Sequence, residues 1–406
     1  MREVPGPIVN EARDPMVDAS PASHERVLSF GASALCVRAD GAALLDWLVE
    51  FLSPWFDVAS PPIAAKTAAS IEVAIDAPGL ERWIDGATPT GRERVCFQLD
   101  RAPVLWPVFR GADGGERALD VAGRVSLAVE RTGGGPVFRI VSACDRPGAR
   151  LAAFRVVREL ASEGAIAAGW LPLHAAAVQG RSGVTLFVGP KRAGKSSLLL
   201  HALVGHGARY VANDRVMVEL AGAAHARLAA HARGMPSIVG VREGSLAWAG
   251  GLGSALASGA WHYTTTVAEA RAHARAGQRA EAAGEIWPPG LTPAQLCALL
   301  GVEPVAGGPI ARIVFPSVHE RLAGARRFLL RALAAEEAAR LLRETGLLAN
   351  GSGPSGLAPI DGGGPPALDE RIRRLAASVP SVECQLAPGA YDEPSVWRAL
   401  ADEAFA

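Results

Sequence analysis

The residues best suited to chemistry form a glycine-rich segment near the middle of the chain. Residues 189–196 are Gly-Pro-Lys-Arg-Ala-Gly-Lys-Ser, which fits the pattern G-x-x-x-x-G-K-[ST]. In such a loop the glycines let backbone N–H groups curl around phosphate oxygens, and the lysine adds a point charge. The positive end of a following helix also attracts anions. The segment therefore predicts a phosphate-binding loop, or Walker A motif.

Each residue of the loop has a predicted role. Lys195 is expected to contact the β and γ phosphates of ATP or GTP, and the Ser196 hydroxyl to ligate Mg²⁺. Lys191 and Arg192 are candidate transition-state cations, with exposed loop charges as the alternative. The residues predicted to bind the nucleotide are Gly189, Lys191, Arg192, Ala193, Gly194, Lys195, Ser196 and Ser197.

Polar residues on both sides of the loop extend the predicted site. Asp214 follows Lys195 by one helix and one strand and is expected to be the second Mg²⁺ ligand; a simple Asn213-Asp214 turn is the alternative. His174 precedes the loop in an apolar segment and is either a proton-handling residue or a core histidine. Two roles are open for Arg215: an ion pair with Asp214 or a contact with a phosphate.

Taken together, these motifs resemble the HPr kinase/phosphorylase family, and more closely the HPr-kinase-related proteins of bacteria. The resemblance covers about residues 170 to 320. It rests on four segments in order: residues 173–178, which contain His174; the loop at 189–196; residues 207–216, which contain Asn213-Asp214; and residues 233–241, which begin with Arg233-Gly234. Arg233-Gly234 either borders the substrate site or forms an ordinary turn.

The resemblance implies an α/β domain with a mixed, twisted sheet of the HPr kinase and phosphoenolpyruvate carboxykinase type. It implies His174, Lys195 and Asp214 as catalytic residues, ATP (or GTP) and Mg²⁺ as cofactors, and a peptide, protein or small-molecule acceptor. At the position of Asn213 the family has an Asp that acts as the catalytic base, and at the position of His231 it has a Glu of the metal site. An amide accepts no proton at neutral pH, so the base is Asp214, His174 or His231, or none is needed.

Two other functions fit the same motifs. A non-catalytic nucleotide-binding sensor or accessory protein of a biosynthetic pathway is favoured by Asn213 and His231. A simple NTPase is the second, although the sequence offers no separate arginine-finger motif for it.

The elements that must position these residues follow an α/β alternation. Residues 184–188 are an apolar, β-branched run that predicts a strand entering the loop, and residues 196–206 predict a helix ended by Gly207. The remaining predicted elements are strands at 170–178, 209–212, 216–220, 237–241 and 310–315, and helices at 150–163, 292–300, 334–345 and 368–378.

The chain before this region predicts a separate α+β domain. Glycine- and proline-containing turns separate apolar or alternating runs, so strands are expected at 34–38, 70–75, 94–99 and 125–129, with a helix at 42–52. The predicted division is a flexible tail (1–27), an amino-terminal α+β domain (28–149), a P-loop kinase-like domain (150–349), a Gly/Ser/Pro linker (350–366) and a carboxy-terminal helical segment (367–406).

Bulk composition excludes several classes. The 406 residues are 49% apolar and 20% charged with a formal net charge of +0, which is typical of a globular protein and gives no support for nucleic-acid binding. Five scattered cysteines suggest neither disulfides nor zinc. We expect a cytoplasmic protein without membrane contact, because neither a signal peptide nor a spanning segment is evident. A homo-oligomer is left open.

Overall fold

The amino-terminal part of the chain forms a nine-stranded sheet in this computed structural model. The structure describes residues 24–59, 67–99, 102–120, 124–132, 135–221, 229–240, 252–280, 290–318, 322, 327–347, 365–387, 389–390, 393, 395–396 and 399–400. The strands of this sheet are β1 (His24–Phe30), β2 (Ser33–Ala39), β3 (Asp57–Ala59), β4 (Ala69–Ile75), β5 (Thr88–Leu99), β6 (Ala102–Arg110), β7 (Glu116–Asp120), β8 (Val125–Thr132) and β9 (Gly135–Ser142).

This sheet is mixed, with the order β3-β1-β2-β4-β9-β8-β7-β6-β5. The central strands β2, β4 and β9 are parallel, and the other neighbours are antiparallel. Alternate residues of β4 are buried, namely Ala69, Ile71 and Val73, so one face of the sheet is turned towards the core. The four predicted strands are confirmed. However, β1 begins at His24, inside the interval predicted to be a flexible tail; residues 1–23 of that interval lie outside the described residues.

Helices cover the inner face of this sheet. They are α1 (Ala42–Leu52), as predicted, and α3 (Arg150–Ala167); a shorter helix, α2 (Ala77–Asp85), was not predicted. Helix α3 contacts α1, β2 and β4, and it also contacts the first strand of the second sheet. It therefore belongs to both halves of the molecule.

The second sheet has eight strands and is also mixed. Its strands are β10 (Leu171–Gln179), β11 (Val184–Val188), β12 (Arg209–Ala212), β13 (Arg215–Ala221), β14 (Ala229–Met235), β17 (Gly307–Val318), β18 (Phe328–Ala332) and β19 (Ser381–Leu386). The order is β11-β10-β13-β14-β17-β19-β18, β12 also pairs with β10, and β11 also pairs with β17. A separate two-stranded ribbon joins β15 (Val239–Gly240) to β16 (Gly290–Leu291).

The two long strands β10 and β17 each change partners along their length. The first half of β10 pairs with β13 and its second half with β11, while β17 pairs first with β14 and then with β11 and β19. The other α-helices within the described residues are α4 (Lys195–His206), α5 (Leu252–Ala257), α6 (Val267–Ala276), α7 (Pro293–Leu300), α8 (Ala335–Leu341) and α9 (Pro365–Ser378). The predicted helices and strands of this half are confirmed, although of the strand expected at 237–241 residues 237 and 238 lie outside β15 and residue 241 lies outside the described residues. The fold class is α/β with mixed sheets.

The carboxy-terminal segment differs from the prediction. It was expected to be helical from residue 367, but β19 follows α9 and lies between β17 and β18. Ser381, Cys384 and Leu386 are buried in this strand, and polar side chains interrupt its pattern, which explains why apolar periodicity missed it. Residues 350–364 of the predicted linker lie outside the described residues, and α9 begins at Pro365 within that interval.

One hydrophobic core joins the two sheets. The same cluster contains Phe30 and Trp55 from the first sheet and its connections, and Leu199 and Tyr210 from the second half. The Trp55 indole Nε1 donates a hydrogen bond of 2.7 Å to the carbonyl of Val211. The two sheets on either side of residue 149 thus share this core, and a second cluster of buried residues lies wholly within the second half. Over the described ranges, none of the helices has both the length and the apolar character to cross a membrane.

Candidate functional site

The glycine-rich loop, residues 189–196, lies between a buried strand and a helix. All five residues of β11 are buried, and the loop leaves the strand after Val188. Helix α4 begins at Lys195 and ends at His206, and it is followed by Gly207, whose φ of 62° is in the left-handed region favoured by glycine. The strand-loop-helix context that the motif requires is therefore present.

The loop is tightly curled. Arg192 and Gly194 have φ angles of 71° and 100°, a conformation that turns successive N–H groups towards one side. A Cβ on Gly189 would lie 3.2 Å from the Ala193 Cβ and 3.4 Å from the carbonyl oxygen of Pro316 in β17. The loop therefore packs against the end of β17, and a side chain larger than that of glycine would be crowded at position 189.

Lys195 is folded over the loop. Its Nζ donates hydrogen bonds to the carbonyl oxygens of Gly189 (2.7 Å) and Pro190 (3.1 Å). Lys191, Arg192 and Ser196 are exposed. The first turn of α4 contains no acidic residue, and no side chain among the described residues caps it. The N–H groups of this first turn therefore point towards a position that favours an anion.

The register of the second sheet brings Asp214 to the same level as the loop. Ala175 of β10 is paired with Val188, the residue that precedes the loop. On its other side, the N–H of Ala175 donates a 3.1 Å hydrogen bond to the carbonyl of Asp214. Asp214 therefore lies two strand spacings from Val188, roughly 10 Å.

His174 and Asp214 form a pair at this edge. The His174 Nε2 lies 3.2 Å from the Asp214 Oδ1, and their side chains are 19% and 37% exposed. Burial alone would raise the pKa of the Asp214 carboxyl, but the hydrogen bond from His174 and the charges of His174, Arg215 and Arg158 together hold it below its ordinary value. This contact satisfies the histidine and places it beside a carboxylate.

The two positions that depart from the family pattern do not contribute an acid or a base. The Tyr210 hydroxyl donates to the Asn213 Oδ1 (2.7 Å), and the Asn213 Nδ2 donates to the carbonyl of Ile238 (3.4 Å). His231 is exposed on β14, four residues before Met235, which pairs with Arg215; this separation is roughly 13 Å along a strand. Of the bases left open by the sequence, only His174 and Asp214 are brought together.

Arg233 and Gly234 do not form the turn that was one of the two roles expected for them. They lie within β14 rather than in a turn, and the Arg233 Nε donates to the carbonyl of Trp55 (2.8 Å). A Cβ on Gly234 would lie 2.1 Å from the carbonyl oxygen of Val211, so glycine is needed for this close approach. These residues hold the first sheet against the second.

The contact of Arg215 with Glu159 was missed from the sequence. Arg215 is within 3.9 Å of the Asp214 Oδ2, and its Nη1 lies 3.1 Å from the Oε1 of Glu159 in α3. The only signal in the sequence was the Arg158-Glu159 pair on the apolar face of a helix, and this pair matches no known motif. Of the two roles open for Arg215, the structure places it beside carboxylates.

Within the described residues, no group of three or more His, Cys, Asp or Glu side chains is arranged to hold a metal ion by itself. No protein-family model matches the sequence, and no curated protein matches it. The resemblance to HPr-kinase-related proteins remains a prediction from the residues described above.

Proposed function

We propose that the chain is a Mg²⁺-dependent, HPr-kinase-like enzyme that transfers the γ-phosphoryl group of ATP (or GTP) to a hydroxyl of a peptide, protein or small molecule. The observation that carries the proposal is the register that aligns Val188, Ala175 and Asp214 across three neighbouring chain segments. This alignment supports one site built from the glycine-rich loop and the His174-Asp214 pair.

The loop fits the phosphates of a nucleotide. The N–H groups of the curled backbone and of the first turn of α4 supply donors, and no acidic residue of that turn opposes an anion. Lys195 already donates to two loop carbonyls. In the proposal it exchanges these oxygens for phosphate oxygens, which are stronger acceptors because they are charged.

The oxygen ligands fit Mg²⁺. In phosphoryl-transfer sites this ion is usually held by one or two carboxylates together with substrate phosphates rather than by a full protein cage. Asp214, whose lowered pKa keeps it ionised at neutral pH, and the exposed Ser196 hydroxyl would hold the ion. Bound Mg²⁺ would neutralise charge on the phosphates.

The His174-Asp214 pair suggests which atom accepts the proton. A carboxylate with a lowered pKa is a poor proton acceptor. Because the His174 Nε2 is within hydrogen-bonding distance of Asp214, the Nδ1 is the ring nitrogen that keeps a lone pair when the imidazole is neutral. We assign proton acceptance from the hydroxyl to His174 Nδ1, with Asp214 orienting the ring.

A second function is favoured by Asn213. Its amide is used for contacts to Tyr210 and Ile238, and His231 is remote, so neither replaces the acidic residues of the resembled family. A nucleotide-binding accessory protein without phosphoryl transfer would need no such residues. The loop and Asp214 would then bind Mg²⁺-ATP as a signal.

The test is incubation with γ-labelled ATP, Mg²⁺ and the products of neighbouring genes as acceptors. Wild type is compared with Lys195→Ala, with Asp214→Asn, and with Lys66→Ala, a lysine outside the predicted site, as the matched control. We expect label in an acceptor that is lost in the first two variants, by at least about a hundredfold for Lys195→Ala, and reduced only slightly in the control.

Other outcomes assign other functions. Lys195-dependent release of inorganic phosphate without a labelled acceptor would indicate an NTPase. Tight Mg²⁺-ATP binding with no turnover would identify the accessory protein and refute the kinase.

A further inference from the structure

A chain of alternating charges leads from helix α3 to Asp214. The Arg158 Nη2 lies 2.8 Å from the Glu159 Oε1, and the Arg215 Nη1 lies 3.1 Å from the same oxygen. The Arg215 Nε is 3.9 Å from the Asp214 Oδ2, which is beyond hydrogen-bonding distance. The side chains of Arg158, Glu159 and Arg215 are only 7%, 9% and 6% exposed.

Glu159 is the anion that both arginines share. Buried charges are costly unless they are paired, so each arginine needs a carboxylate close by. Burial, together with the positive charge of Arg215, lowers the pKa of Arg158 to about 10, and Glu159 opposes this shift. Without Glu159, the nearest carboxylate left for Arg215 among these residues is Asp214.

A contact between Arg215 and Asp214 would compete with a metal ion. A guanidinium binds a carboxylate through parallel N–H bonds and would occupy the oxygens that Mg²⁺ requires. In the observed arrangement Arg215 favours the ionised form of Asp214 from 3.9 Å and does not bond to it. The arginine is therefore held at a distance that suits a metal-binding carboxylate.

We propose that Glu159 is a positioning residue, which keeps Arg215 bonded to α3 and thereby leaves the Asp214 carboxylate available to Mg²⁺. The inference rests on the proposed function, because it assigns the metal to Asp214. It adds a role for α3. This helix also packs on β2 and β4, so the contacts of Glu159 link the amino-terminal sheet to the region of Asp214.

The test is a Mg²⁺ titration of the full chain with a fluorescent ATP analogue. In Glu159→Gln we expect half-saturation at about tenfold more Mg²⁺, the size of a coupling between neighbouring charges, while Mg²⁺-free binding stays within about twofold. Removing the competitor in Glu159→Gln/Arg215→Gln restores the Mg²⁺ requirement to within about threefold of wild type. Glu159→Asp, which keeps the carboxylate, is expected to lie between them.

A charge-matched variant is the control for misfolding caused by an unbalanced buried charge. Arg158→Gln/Glu159→Gln removes one cation and one anion, so the buried net charge is unchanged, but Arg215 still loses the Glu159 carboxylate. We expect the same weakening of Mg²⁺ binding as in Glu159→Gln. Wild-type Mg²⁺ binding in this folded variant, or a Glu159→Gln/Arg215→Gln protein weaker than Glu159→Gln alone, would overturn the inference.

The failure of the proposed function gives a different result. If wild type binds the ATP analogue without any Mg²⁺ dependence, the assignment of Asp214 is wrong. A crystal structure of the charge-matched variant then still tests the positioning itself. Arg215 bonded to Asp214 supports it, and Arg215 remaining against α3 refutes it.

Discussion

His262 is a buried histidine whose protonation affects the stability of the protein. It is 2% exposed, and its Nδ1 lies 2.7 Å from the Thr264 Oγ1. Burial lowers the pKa of His262 from 6.5 to about 4, and burial likewise lowers the pKa of His201 in α4 to about 3. Both rings therefore resist protonation in the folded state but not in the unfolded chain.

The resulting loss of stability occurs on the acidic side. A depressed folded-state pKa gives stability that is complete above pH 6.5 and falls as the pH drops towards 4. Each such histidine contributes a slope of up to about 1.4 kcal/mol per pH unit in that interval. Urea denaturation at several pH values should show a shallower slope for His262→Gln than for wild type. Identical slopes for the two proteins would contradict the account.

Gly234 tests the contact between elements of the two sheets. In Gly234→Ala the new Cβ would meet the Val211 carbonyl oxygen at 2.1 Å and the Trp55 Nε1 at 2.5 Å, which are the two atoms of one hydrogen bond. We expect the free energy of unfolding to fall by about 3 kcal/mol, because backbone atoms must move to relieve the overlap. Urea denaturation monitored by circular dichroism measures this change.

Gly205→Ala is the matched control. Gly205 lies in α4, and a Cβ built there has nothing within 4 Å. The substitution should stabilise the protein by up to about 1 kcal/mol, since alanine is the better helix former. Equal losses in the two variants would show that the contact at Gly234 is not the cause.

Local patterns predicted elements well where one residue type dominates a short run. The apolar residues Val184–Val188 and the glycines at 189, 194 and 207 predicted β11, the loop and the end of α4, and all are present. Elements with mixed composition were missed: β14 contains His231, Arg233 and Gly234, and β19 contains Glu383 and Gln385. Their strand conformation depends on pairing with distant segments rather than on their own residues.

The candidate site was predicted only as far as its residue types. Asp214 and His174 were identified from their positions around the loop, whereas their 3.2 Å contact depends on how β10 and β13 are aligned. The Glu159-Arg215 contact joins residues far apart in the chain and has no periodic signal. Register and long-range ion pairs are properties of the packed molecule, so no local pattern reveals them.

At the scale of the whole molecule, the shared core predicts cooperative unfolding. Phe30, Trp55 and Tyr210 belong to one cluster, and Trp55 is hydrogen-bonded to Val211 across the two halves. Calorimetry should therefore give a single transition with equal calorimetric and van't Hoff enthalpies. Trp55→Phe, which removes that hydrogen bond, should lower the midpoint without splitting the transition. Two resolved transitions in wild type would show that the halves are independent domains.

In the proposed function, the glycine-rich loop binds the phosphates of a nucleotide together with Mg²⁺. Isothermal titration calorimetry of ATP into the protein in Mg²⁺ buffer tests it most directly, with Lys195→Ala and Lys191→Ala proteins of matched thermal stability. We predict that wild type binds ATP, that Lys195→Ala weakens binding by at least about tenfold, and that Lys191→Ala weakens it less, because Lys191 is exposed. A wild-type protein that binds no nucleotide, or a Lys195→Ala variant that binds ATP as tightly as wild type, would contradict the claim.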